Sequence, residues 1–404
     1  MGFSLEIDEA TKLLEDNINK DIIFPFLNGE DLNSDPEMIA SRYVINFFDY
    51  PLDENDDYIS AKGDLEKLRG RPYAKDYPAC LDLIEKRVKP EREKKSDKNS
   101  RERWWLHARS RMDLYSQIKM LKQVVVLART SKTLAFSFVP MQVFSDSLVV
   151  FKINKFSFFS LLQSSIHEIW SWRYCTTMKT DLVYTPTNTF ETFPLAPNIS
   201  LELEQKLEIT GKIYHEHRRQ LMLGIQLGLT DTYNLFHFKQ HLSECKVKKG
   251  KVLFSKHLER TENIISLDQS IQGVFKMREL HTDMDKSVLD AYGWSDIELK
   301  HDFYEVDYLP ENDRVRFTIH PDARKEILKR LLDLNHQIFE EEARKGLHKE
   351  ETVREFFKQK GKEMPQGIIQ KIKEVGKQKT SDAKTKGETK KKKGLEDQGE
   401  LFGE

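Results

Sequence analysis

Gln123-Val124-Val125-Val126-Leu127-Ala128-Arg129-Thr130-Ser131-Lys132-Thr133-Leu134-Ala135-Phe136-Ser137-Phe138-Val139, followed by Leu148-Val149-Val150-Phe151, is the stretch on which the fold turns. β-branched and aromatic residues crowd into three short runs, 124–127, 134–139 and 148–151, and turn-forming residues at 130–133 and 145–146 separate them. Side chains of this kind fit a pleated, half-buried surface, and the spacing predicts a three-run β-meander. Directly after it, Phe156, Phe159, Leu162, Ile166, Ile169, Trp170 and Trp172 recur at helical spacing, so a helix is expected to pack on that sheet. The expected fold class is therefore α+β.

On the N-terminal side, Leu5, Ile7, Leu13, Leu14 and Ile18 predict a short helix with Asp8 as its cap. Residues 24–33 are rich in turn formers, and residues 42–48 have the character of a buried strand. Between residues 77 and 118 the pattern is helical, with Leu81, Ile84 and Val88 on one face, and a charged break at 89–103 closes on Trp104-Trp105. On the C-terminal side, Pro186, Pro194 and Pro197 mark an extended crossing. Long helical patterns at 201–227, 271–292 and 323–343, with little strand signal between them, predict a mostly helical second domain. Beyond Arg344 the chain is rich in Lys, Glu and Gln, and 376–394 is low-complexity with a Lys390 to Lys393 run. That composition cannot bury enough apolar surface to offset ordering entropy, and a disordered tail is expected.

At 404 residues the chain is long enough for an enzyme, but Lys and Arg (65) nearly cancel Asp and Glu (66). A net charge of -1 gives no global pull toward nucleic acid or membrane, so any nucleic-acid surface must be a local patch. Cys80, Cys175 and Cys245 form no CxxC pair, which argues against a structural zinc site and a disulfide framework. The ~18 apolar residues that span a bilayer are missing, and the acidic amphipathic start is unlike a signal peptide. A cytoplasmic protein with no membrane partner is expected.

The motifs of common chemistries are missing as well. The chain has no Gly-x-Gly turn of the kind an S-adenosylmethionine enzyme places after its first strand, no Pro-Pro dipeptide, and no Gly-Lys-Ser/Thr phosphate loop. His167-Glu168-Ile169-Trp170-Ser171 starts like a zinc-protease helix, but Ser171 stands where the second His must be. His215-Glu216-His217 sets its histidines on different sides of a helix and reads as a solvated polar face. His281, Asp283 and Asp285 have the same spacing problem. Asp82 with Glu85-Lys86-Arg87 matches a nuclease carboxylate set only loosely, and Cys175 has no base beside it in sequence.

What remains is basic and aromatic. Lys86, Arg87, Lys89, Arg92, Lys94, Lys95, Lys98, Arg101 and Arg103 outnumber the acids around them. Such a run is either a solvated face or a phosphate-binding strip. Arg129-Thr130-Ser131-Lys132-Thr133 offers cations and hydroxyls between two strands, which suits reading base edges in the major groove as well as it suits an ordinary polar hairpin. Arg218 and Arg219 fall on a helix, where neighbouring acids explain them at least as well as DNA does.

Several longer strings together resemble one family. Phe24-Pro25-Phe26-Leu27-Asn28-Gly29-Glu30-Asp31-Leu32-Asn33, Ser41-Arg42-Tyr43-Val44-Ile45-Asn46-Phe47-Phe48-Asp49, Leu182-Val183-Tyr184-Thr185-Pro186, Phe190-Glu191-Thr192-Phe193-Pro194, the helix from Tyr214, Arg278-Glu279-Leu280-His281, Met284-Asp285 and Ala291-Tyr292-Gly293-Trp294 follow one another as in MmeI-like (type IIL) restriction-modification enzymes and related adenine-specific DNA methyltransferases. The resemblance implies a target-recognition domain at 1–198 built on a mixed or antiparallel sheet with packed helices, a helical domain at 199–345, and a charged tail at 346–404. In that family this half selects the DNA sequence, while the preceding half binds S-adenosylmethionine, flips the adenine and methylates its amine. The chain starts about where that catalytic half would end. The expectation is thus a phage-defence component with no catalytic, cofactor or metal residues of its own, working on double-stranded DNA with a methyltransferase domain or subunit that holds S-adenosylmethionine.

The same resemblance makes Lys132 and Thr133, with Arg129 and Ser131 of that turn, the candidates for base readout. Lys94, Lys95, Arg101, Arg103, Lys179, Tyr184, Arg218 and Arg219 are the candidates for the DNA backbone, where contacts position the protein without carrying sequence information. Two rivals stay open: a degenerate or regulatory remnant that binds a partner methyltransferase without reading DNA, and a nuclease with an unrecognised carboxylate site.

Overall fold

The computed structural model describes residues 2–56, 72–239, 265–365 and 367–375. The chain divides into two compact units, one made of residues 1–191 and 195–327, the other of 192–194 and 328–404.

The first unit opens with β1 (Ser4–Leu5), α1 (Ile7–Leu13), β2 (Ile23–Leu27), α2 (Gly29–Ser34) and β3 (Tyr43–Ile45). Helix α1 starts on Glu6, earlier than a cap at Asp8 would place it, and has no side-chain cap. Asn28 does cap α2, its Oδ1 accepting from the amides of Glu30 and Asp31 at 2.7 and 3.0 Å. Four short helices follow, α3 (Pro78–Arg87), α4 (Lys89–Glu93), α5 (Lys98–Glu102) and α6 (Met112–Ile118). Cys80, Leu81 and Ile84 of α3 close a small core with Leu5, Ile22, Ile45, Phe47, Trp104 and Trp105.

The meander comes next as β4 (Gln123–Ala128), β5 (Thr130–Ser131), β6 (Ser137–Pro140), β7 (Val143–Phe144) and β8 (Leu148–Phe151). Strand β4 is central and antiparallel to both neighbours in the order β6-β4-β8, with Val125 opposite Phe138 on one side and Phe151 on the other. Strand β7 leaves this sheet and pairs in parallel with β2, in the order β1-β3-β2-β7. The expected run at 134–139 forms a ladder only from Ser137, for a reason visible in its partners. Leu134 O and Phe136 N are bonded to the Gln163 side-chain amide at 2.8 and 2.9 Å, so a helix side chain replaces the ladder there.

The helix expected over 156–174 is two helices, α7 (Phe156–Gln163) and α8 (Ser165–Tyr174), interrupted at Ser164, which has extended backbone and caps the second. They are followed by β9 (Thr176–Met178), β10 (Asp181–Val183), α9 (Pro186–Thr189), α10 (Leu201–Ile225), α11 (Leu229–Phe236), α12 (Leu267–Ala291), β11 (Asp302–Glu305) and β12 (Val315–Thr318). One apolar core runs from β4 and Phe136 through Phe159 of α7 to Tyr214 and Met222 of α10 and Met277 of α12.

The division between the units falls within α13 (Pro321–Arg344). In the second unit α14 (Glu350–Gln359) buries Val353 and Phe357 against Ala343 and Ile368. The tail expected from 346 therefore begins with folded structure, and its low-complexity part from 376, like Cys245, lies outside the described residues. Among the described residues no helix is long and apolar enough to cross a membrane.

Candidate recognition surface

The turn after β4 is held from both sides. Arg129 N donates to Ser147 O at 2.8 Å, and Arg129 O accepts from Tyr184 N at 2.7 Å, so its backbone is clamped between the start of β8 and the end of β10. Residues 130–131, expected as a plain turn, form β5, which joins β10 and β9 in a separate antiparallel sheet of order β5-β10-β9. Ser131 Oγ accepts from Thr133 N at 3.2 Å and so closes the bend, keeping its own proton to donate. The Arg129 side chain is exposed and has no hydrogen-bond partner among the described residues. It borders an open groove of about 570 Å³ lined also by Asn28, Glu30, Ser34 and Ser147.

The same sheet brings Lys179 to this place. Strands β9 and β10 are joined by Lys179-Thr180, with Met178 opposite Asp181. Lys179 takes φ +57°, a left-handed backbone that costs a non-glycine residue about 1 kcal/mol or more. Thr176, Thr177, Met178 and Lys179 are all exposed. Arg129, Lys132, Thr133 and Lys179, 50 residues apart at the extremes of the sequence, thus share one small sheet and its turns. The β9–β10 hairpin was not foreseen, because its turn lacks the Asn or Gly that usually announces one. Lys132 itself is engaged: its ammonium is paired with Asp313, from the turn between β11 and β12.

The basic stretch before Trp104 is largely spent on its own fold. Lys89 pairs with Glu85 at 2.6 Å and lies 4.9 Å from the Trp104 ring centre. Arg92 is buried, reaching Leu106 O at 3.4 Å, and Arg101 donates to Lys95 O and Ser96 O at 2.7 and 2.8 Å. Trp104 and Trp105 are core residues, the latter donating to Tyr50 O at 2.9 Å. Lys94 and Lys95 remain exposed on the connection between α4 and α5, and Arg103 is half-buried.

Two of the backbone candidates are corrected by their positions. Tyr184 is 1 % exposed and its hydroxyl meets His167 Nε2 at 2.9 Å, so it has no face toward a phosphate. Arg218 is also 1 % exposed. Its guanidinium donates to Phe136 O at 2.5 Å, Ser137 Oγ at 2.9 Å, Tyr233 OH at 2.9 Å and Gln163 Oε1 at 3.3 Å. It stitches the ladder-free residues before β6 to α10 and α11. Arg219 lies on the outer side of α10 and forks onto Glu216 at 3.1 and 3.2 Å.

The remaining motifs are structural. His215 is buried among Phe138, Phe156 and Phe159, which corrects the expected solvated face, and burial pushes its pKa down to about 3. Burial does the same to His167, also to about 3. His281 and Asp285 are one turn apart on α12 and form a buried knot with Ser165 and His301. Ser165 Oγ lies 3.1 Å from His281 Nε2, Asp285 Oδ1 accepts from Ser165 N at 2.8 Å, and Asp285 Oδ2 lies 2.8 Å from His301 Nε2. Burial pushes the Asp285 carboxyl up, but His281 and His301 beside it hold it below the ordinary value. Ser165, His281 and Asp285 form no hydrolytic triad: serine and carboxylate meet the same ring nitrogen, whereas a relay needs one on each, and Ser165 is 2 % exposed. Among the described residues no three His, Cys, Asp or Glu side chains gather as a metal set, and Glu85 of the loose nuclease match is paired with Lys89.

The fold is α+β, and in it a small antiparallel sheet supports turns that carry cations and hydroxyls. Residues 73–197 match the family model described as MmeI, target recognition domain, and the chain carries an MmeI-like domain of that kind. Among solved structures the chain is similar to that of the type IIL restriction-modification enzyme MmeI in complex with DNA, at 14% identity and a TM-score of 0.46, over 84% of this chain and 34% of that one. The chain thus spans about a third of that enzyme's length. No curated protein matches the chain.

Proposed function

We propose that this chain is the sequence-specific, double-stranded-DNA-reading part of a site-specific adenine (N6) methyltransferase or restriction-modification system. The observation that carries this reading is the match of residues 73–197 to a target recognition domain, in which the supported turn at 129–133 and the β9–β10 hairpin lie side by side. Arg129, Lys132 and Thr133 face base edges on this reading. Lys179, Lys94 and Lys95 meet phosphates, where they add affinity and register but no sequence information. Adenine methylation is done by a methyltransferase domain or subunit, which also holds the S-adenosylmethionine, and the chain works with it in the cytoplasm.

The test is binding without turnover. The purified chain should bind a duplex with an affinity that falls steeply between 50 and 200 mM salt, by ~10³ if about six phosphates are neutralised. Replacing Lys179 or Lys94 by Ala should weaken binding to all sequences alike and flatten the salt slope by about one. Replacing Arg129 by Ala should change the preferred sequence. Methyl transfer from S-adenosylmethionine by the isolated chain, or salt-independent binding, would overturn the proposal.

A further inference from the structure

The ion pair between Lys132 and Asp313 joins side chains 181 residues apart, and neither motif nor spacing announces it. Asp313 ends the short helical turn between β11 and β12, and its amide donates to Pro310 O at 2.8 Å. That turn is carried on a stiff ribbon. Val306 N donates to Arg314 O at 2.9 Å, Arg314 Nε donates to Leu309 O at 3.0 Å, and Phe303 and Phe317 lie opposite each other in the ladder. At its base Phe317 packs on Phe236, and the Arg278 guanidinium, fixed to Phe236 O at 2.8 Å, lies 4.9 Å from the Phe303 ring. The carboxylate is therefore placed against Lys132 by a rigid support, while both side chains stay partly exposed, Lys132 at 43% and Asp313 at 31%.

A lone lysine is a compact, mobile charge that turns to the nearest phosphate. A carboxylate fixed beside it opposes that, because it repels phosphate, and it also adds an acceptor to the donor. In the major groove guanine O6 lies beside the cytosine N4 amine, and adenine N7 beside its own N6 amine, so a Lys–Asp couple matches an edge that presents an acceptor and then a donor and opposes the reverse order. Resting on the DNA-reading role proposed above, we propose that Asp313 is a specificity-determining residue. With Lys132 it reads one base pair that presents an acceptor beside a donor, and the β11–β12 turn belongs to the reading surface although it lies outside the matched domain.

The experiment selects preferred duplexes from a randomised library with the full chain and its Lys132→Ala and Asp313→Ala variants, and follows binding of the chosen duplex against salt. The unaltered chain should demand one base pair, in one orientation, at one position. Both variants should lose about tenfold of discrimination at that same position, and Asp313→Ala should leave the salt slope unsteepened. If Lys132→Ala alters the preference while Asp313→Ala keeps the full pattern, the role given to Asp313 is overturned and the DNA-reading role stands. The role is equally overturned if Asp313→Ala only strengthens binding to every sequence, which marks Asp313 as a plain electrostatic fence. If the unaltered chain has no preference at any position, the DNA-reading role falls and this inference with it.

Discussion

Arg218 and Arg129 carry the same guanidinium into opposite surroundings. Arg129 projects from a clamped backbone into an open groove, and Arg218 lies in the core with its donors on Phe136 O, Ser137 Oγ, Tyr233 OH and Gln163 Oε1. Replacing Arg218 by Ala leaves those acceptors unpaired in a dry interior and should cost about 3–5 kcal/mol in urea unfolding. Replacing Arg129 by Ala should cost about 0.5 kcal/mol or less, as for most surface changes, and act on DNA instead. A stable Arg218→Ala variant that merely loses DNA affinity would restore the phosphate role expected from sequence. The contrast also explains what was legible among single residues. The turn 129–133 was found because strand patterns on both sides fix where it must lie. Arg218 and Tyr184 were misplaced because an arginine or tyrosine on an amphipathic helix or strand end has the same letters whether its tip meets water or a buried carbonyl. Asp313 carried no local signal, since its partner comes from a different element.

At the scale of elements, β4, β6 and β8 and the helices α10, α12 and α13 were readable, because their apolar residues recur with one period over a long enough run. The ribbon β11–β12 was not. Asp302-Phe303-Tyr304-Glu305 and Val315-Arg316-Phe317-Thr318 put charges within a two-stranded, half-exposed element, which dilutes the alternation. Helix α14 was hidden likewise, since only Val353 and Phe357 are buried in a segment half of whose residues are charged. Packing between elements gives a sharper test at Gly211 of α10. A Cβ there would stand 2.3 Å from Ser160 Oγ and 2.5 Å from Phe156 O of α7. Gly to Ala in a helix gains about 1 kcal/mol of propensity, whereas overpacking against a backbone oxygen costs about 1–3 kcal/mol. Ser160 is not free to give way, because its hydroxyl donates to Leu207 O at 2.7 Å. Gly211→Ala should therefore lower the melting temperature, and an unchanged or higher one would show that α7 and α10 can part at little cost.

For the whole of the first unit the decisive quantity is the number of histidines folded into it in neutral form. Burial pushes His167 and His215 down to about 3, lowers His107 and His281 and carries His237 well below its ordinary value. The sign follows from which state takes up the proton. In the unfolded chain these rings titrate near 6.5, and in the folded one they resist protonation, so their contribution is fully present above about 6.5 and is lost as pH falls toward 3. Each ring costs about 1.4 kcal/mol per pH unit within that window, and His167 and His215 alone cost about 3. Asp285 has the same sense but acts later, below about 4, since its folded value is already under that of an ordinary carboxyl. Glu168 works the other way. Burial raises its pKa, so the fold gains as pH falls through that raised value toward its ordinary one, yet it is one group against five histidines. A urea-unfolding series from pH 7.5 to 5 should therefore show stability dropping by several kcal/mol on the acid side of 6.5. His215→Phe, which fills the same aromatic nest without a titrating ring, should make the drop shallower by about 1.4 kcal/mol per pH unit. A flat profile between pH 6.5 and 5 would mean that water reaches these rings and that the core around α10 is looser than its contacts imply.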